Sequence, residues 1–75
     1  MKEQEIVELL KRENEEFRRL TEEHKDLENL LEEFDNKRYL TSEEEIERKR
    51  IQKQKLLKKD RMAELVRNYK KSHSN

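Results

Sequence analysis

The side chains with chemistry to offer are two histidines, nineteen carboxylates and nineteen strong bases, with no cysteine and no glycine. Each group fails a test that a reactive site would have to pass. A metal ligand or general base needs partners that converge on one point. His24 has no second histidine at helical spacing, because the only other one is His73 near the far end. Without cysteine there is no thiolate zinc set and no disulfide. Without glycine there is no loop that could cradle a phosphate. The carboxylates are spread along strongly polar, helix-like stretches, whereas paired catalytic carboxylates need a concave and partly dry site. The pattern therefore argues against an enzyme, a cofactor or a bound metal, and His24 reads as a histidine packed in an apolar seam.

The basic residues are concentrated. Arg48, Lys49, Lys53 and Lys59 lie in a run, residues 48–71, that holds eleven Lys and Arg against two acids, Asp60 and Glu64. A face of that kind can bind phosphates. Only Tyr69 offers an aromatic ring nearby, so stacking of single-stranded bases is poorly served. Residues 1–36 carry 6 Lys and Arg against 13 Asp and Glu, a net −7, while residues 37–75 carry 13 against 6, a net +7. The net zero is thus two opposed halves. An acidic arm beside a basic one cancels much of the field that would draw in nucleic acid. Weak nucleic-acid binding through the basic half stands as the alternative to a solvated face paired with the acidic half.

Two long elements have to hold these charges. Ile6, Leu9, Leu10, Phe17, Leu20, His24, Leu27, Leu31 and Phe34 share one stripe roughly 120° wide on a helical wheel, the width expected of a helix packed on one side. The spacing predicts a first helix over about 2–36. Continuing its seam lands on Arg38, Thr41, Glu45, Arg48 and Gln52, so the stripe ends near residue 38 and a single unbroken rod is disfavoured. The corner lies at 37–41. Thr41 and Glu44 form a capping-box pattern, with Glu43, Glu44 and Glu45 in the first turn of the next helix. Asn36 reads as a left-handed stop for the first helix. The second helix is expected over about 42–70, followed by a loose tail at 71–75. Its main stripe is Ile51, Met62, Leu65, Val66 and Tyr69.

Folding at that corner predicts partners whose numbers sum to about 78, which sets Leu10 against Tyr69, Phe17 against Met62, Leu27 against Ile51 and Leu31 against Ile46. The expected fold is all-α, an antiparallel two-helix coiled-coil hairpin forming one domain over residues 1–75. Its seam is Leu10, Phe17, Leu20, His24, Leu27, Leu31, Phe34, Ile46, Ile51, Met62, Leu65 and Tyr69. With 29% hydrophobic and 51% charged residues the chain has little with which to enclose a core, and small scaffolds need a staple. Without disulfide or metal, oligomerisation is the staple left. Apolar groups on a second side of the basic helix, with Leu56, Ala63 and Val66 as candidate contacts, point to a homodimer and a four-helix assembly, with an unidentified protein partner that completes the stripe as a further alternative. No apolar run approaches the length of about 20 residues needed to cross a bilayer, and the first residues lack the apolar core of a secretory signal. The expected location is cytoplasmic.

Four segments recur in order: L-K-R-E-N-E-E-F at Leu10–Phe17, E-H-K-D-L-E at Glu23–Glu28, Y-L-T-S-E-E-E at Tyr39–Glu45 and K-Q-K-L-L-K-K-D-R-M at Lys53–Met62. As an ordered set, spanning about Val7 to Val66, they resemble the YdcH-like family of small bacterial proteins. The resemblance implies a short coiled-coil hairpin and a bacterial origin, and brings no activity with it. Family members often carry Pro after the positions matching Asn14 and Thr41. Here those places are Glu15 and Ser42, which leads to the expectation that the first helix runs unbroken through Asn14.

Overall fold

The computed structural model describes residues 2–73, which form three α-helices: α1 Glu3–Glu13, α2 Glu15–Asp35 and α3 Ser42–His73. The all-α expectation holds. The division into two helices does not, because the first arm breaks at Asn14.

Asn14 leaves the helical region, with φ −112° and ψ 112°. Its side-chain Oδ1 accepts the backbone N–H of Phe17 at 2.9 Å, so Asn14 ends α1 and caps α2. Asparagine competes for backbone donors in this way and is a poor residue for a helix interior. Glu15 and Glu16 then sit in the first turn of α2, where negative charge offsets the positive end of the helix dipole. The Arg18 guanidinium lies 3.4 Å and 3.5 Å from the Lys11 and Arg12 carbonyl oxygens, near the end of α1. A proline after Asn14 is therefore not needed to interrupt the helix.

At the other end of α2, Asn36 stays right-handed at φ −79° and ψ −12°, and no described residue has positive φ. The Asn36 and Lys37 N–H groups instead tighten onto the Glu32 and Phe34 carbonyls. Six residues, 36–41, lead to α3. Thr41 Oγ1 accepts the Glu44 N–H, and Glu44 Oε1 accepts the Thr41 N–H, each at 3.1 Å. Lys37 closes the corner by donating to the Glu44 carboxylate, with its ammonium 5.3 Å from the centre of the Phe34 ring. At its far end α3 continues to His73, whose ring stacks on Tyr69 with centroids 4.0 Å apart. Residues 71–73 are thus helical and do not belong to a loose tail. The rest of the expected tail lies outside the described residues.

The chain measures 52 × 19 × 16 Å, about half the length of a 70-residue rod at 1.5 Å per residue. Ion pairs between the arms give the reason. Asp35 meets Arg48 at 3.0 Å, Glu28 meets Lys55 at 3.5 Å, Glu23 meets Lys58 at 3.6 Å, Glu16 meets Arg61 at 2.9 Å and Glu3 meets Lys70 at 3.8 Å. The first arm and α3 therefore run side by side in opposite directions.

Register departs from the expected constant sum of 78. The pairs Asp35–Arg48 and Glu28–Lys55 each sum to 83, while Glu16–Arg61 sums to 77 and Glu3–Lys70 to 73. Near the corner this moves the alignment by more than one helical turn. Ile46 comes level with Lys37, beyond the end of α2, and is 59% exposed rather than in the seam. Ile51 lies level with Leu31 and Glu32 rather than with Leu27. Along α2 the sum falls steadily, through 81 at Glu23–Lys58 to 77 at Glu16–Arg61, and it reaches 73 at Glu3–Lys70 in α1.

The core is small and sits at the end away from the corner. Ile6, Leu10, Phe17 and Val66 form one buried cluster, with Val7, Met62, Leu65 and Tyr69 packed against it. Among the described residues Leu20, Leu31 and Ile51 are the other buried side chains. Val66, expected at a contact with a second copy, is instead enclosed within its own chain.

Candidate interaction surface

The expected seam residues fall into three groups. Leu10, Phe17, Leu20, Leu31 and Ile51 are buried. His24, Leu27, Phe34, Met62, Leu65 and Tyr69 are half-buried. Ile46 is exposed. His24 lies on the seam side of α2 with its Nδ1 3.8 Å from Glu28 Oε1. Its Nε2 is buried without a hydrogen-bond partner. Among the described residues no three His, Asp or Glu side chains converge as metal ligands would.

The strongest electrostatic feature between the arms is the pairing of Glu16 with Arg61. Both carboxylate oxygens are engaged, by Arg61 Nε at 2.9 Å and by its terminal nitrogen at 3.1 Å. This two-pronged geometry is the one arginine is shaped for. The Arg61 hydrogen bonds, reinforced by its charge, hold the Glu16 carboxyl below its ordinary range against a smaller opposing effect of desolvation. The same contact pushes the guanidinium up. Hydrogen bonds from Lys37 and then from the Thr41 backbone lower the Glu44 carboxyl likewise.

These contacts draw cations away from solvent. Of the four residues considered for phosphate contact, Arg48 is bound to Asp35. Lys49, Lys53 and Lys59 are exposed and have no ion pair among the described residues. Lys55, Lys58, Arg61 and Lys70 all turn toward acids of the first arm. Leu31, Gln52, Lys55, Leu56 and Lys59 line a groove between α2 and α3.

The large apolar side chains left on the surface lie mainly on α3. Ile46, Leu56 and Leu57 are each more than half exposed, as is Tyr39 in the corner, and Leu30 is 41% exposed. Ala63 is exposed as well. Ile51 and Val66 fix the buried side of α3, so at 100° per residue Ile46 points almost directly away from the core, Leu57 and Leu56 lie on either side of that direction, and Ala63 points sideways. The apolar spacing sets Ile46 in the seam; the register at the corner, which that spacing does not encode, leaves it on the surface. No helix among the described residues is long and apolar enough to cross a membrane. No protein-family profile, curated protein or solved structure matches the chain.

Proposed function

We propose that this chain is a non-enzymatic structural or protein–protein interaction module that works as a homodimer, its two copies together forming a coiled-coil-like helical assembly. The observation that carries this reading is the set of apolar side chains on α3, Ile46, Leu56 and Leu57, turned away from a core that they do not complete. Scattered leucines on a surface are ordinary. Against seven buried hydrophobic side chains among the described residues, three large ones left wet on a single helix are a substantial share of what there is to bury. Small domains without disulfide or metal gain stability by associating. The resemblance to the YdcH-like family, which implies a short helical hairpin of bacterial origin, agrees with this reading.

Binding of nucleic acid through α3 is the lesser reading, since five of its cations already serve acids of the first arm. Light scattering on the full chain over a range of concentrations tests the dimer. A mass approaching twice 9.4 kDa as concentration rises supports it. A constant monomer mass refutes it.

A further inference from the structure

We infer that the two copies meet through the outward face of α3, antiparallel, on a two-fold axis passing between Leu56 and Leu57. This rests on the homodimer reading above and adds the face, the direction and the register.

The core side of α3 is set by Ile51 and Val66, with Met62, Leu65 and Tyr69 beside them. At 100° per residue the opposite side carries Ile46, Lys49, Lys53, Asp60 and Glu64, flanked on its two edges by Leu56 and Leu57. Every one of these is exposed. The two leucines lie at the middle of the 32-residue helix, so an axis there lets two copies overlap along their full length.

Charge identifies the occupant as a second copy. Rotation about that axis brings residue i level with residue 113 − i of the other chain. Lys53 then comes level with Asp60, and Lys49 with Glu64, and by symmetry each pairing occurs twice. Ile46 comes level with Arg67, whose apolar stem can cover it. A parallel arrangement would instead set Lys49 against Lys49, Lys53 against Lys53 and Asp60 against Asp60. Lys49, Lys53 and Asp60 have no ion pair among the described residues, while Glu64 already accepts from Arg61. The helix thus carries its own complement, which a foreign segment would have to supply separately.

Two leucines per copy give a modest apolar centre, so the contact belongs at the small end of specific interfaces. Its affinity leans on exposed charges and falls with added salt.

Light scattering on the full-length chain, with Lys53→Glu, Asp60→Lys and the double variant, tests the register. All the substituted side chains are exposed, and circular dichroism checks that the helices persist. Either single change turns two attractive pairings repulsive, and the dimer dissociation constant should rise roughly tenfold or more. The double variant exchanges the two charges and should recover most of the loss. A wild-type dimer whose affinity none of the variants alters means that the copies meet elsewhere; the inference then fails and the dimer stands. Losses in the single variants that the double variant does not recover contradict the register. A wild type that stays monomeric overturns both.

Discussion

Replacing Phe17 by alanine should come close to unfolding the chain. Phe17 is 1% exposed and sits among Ile6, Leu10 and Val66, so it joins α1, α2 and α3 in one contact. Removing a buried phenylalanine side chain costs about 3–5 kcal/mol, partly in lost transfer energy and partly in the cavity left behind. A domain of 75 residues has a total stability of about 4–11 kcal/mol, so the loss is a large share of the whole. At about 4–8 °C per kcal/mol for a domain of this size, the melting temperature should drop by at least 10 °C. Thermal melts followed by circular dichroism at 222 nm, at one fixed protein concentration because association raises apparent stability, read the effect. Tyr39→Ala is the matched control: its side chain is 82% exposed, and the change should stay within about 0.5 kcal/mol. A Phe17→Ala protein that melts within a few degrees of wild type would refute the placement of the core at this end of the molecule.

Three other perturbations have defined outcomes. Asn14→Ala removes the oxygen that accepts the Phe17 N–H and should lower stability in urea titration by about 0.5–2 kcal/mol; a more stable variant would mean that the break is not set by this cap. His24→Leu replaces a buried nitrogen that lacks a partner with an apolar group of similar size, and should leave the melting temperature unchanged or raised; a clear drop would show that the polar contacts of the ring, at Nε2 or to Glu28, stabilise the fold. Glu16 has a folded-state pKa below its unfolded one, so its contribution is present above the ordinary carboxylate pKa and is lost as pH falls through the depressed value. Glu16→Gln should therefore flatten the acid side of the stability–pH curve, and an unchanged acid limb would rule the pair out as a contributor.

What could be read from the sequence was local. The start of α3 was legible because Thr41 and Glu44 carry both halves of a capping box within four residues, and both hydrogen bonds are present. The acidic and basic halves were legible by counting charges. The break at Asn14 was not, because the apolar stripe from Ile6 to Phe34 keeps its spacing across it and the missing proline invited a continuous helix. The signal was there in another form: an asparagine followed by two glutamates, an N-cap ahead of an acidic first turn. The level of Ile46 was not legible either. It depends on how far α3 projects past the end of α2, and that is set by the path of residues 36–41 and by the Asp35–Arg48 and Glu28–Lys55 pairs, none of which leaves a mark in apolar periodicity. That shift put Ile46 on the surface, while burial of Val66 took one expected contact with a second copy out of reach.

Both functional proposals require that the first arm cover one side of α3 and leave the other open. Fluorescence energy transfer between dyes on Glu5→Cys and Lys71→Cys, in labelled protein diluted with an excess of unlabelled chain so that only pairs within one molecule are read, measures this directly. With Glu3 beside Lys70, strong transfer is predicted, at a distance well inside the 52 Å length of the molecule. Absence of transfer, as for dyes about 100 Å apart on a continuous helix, would contradict it.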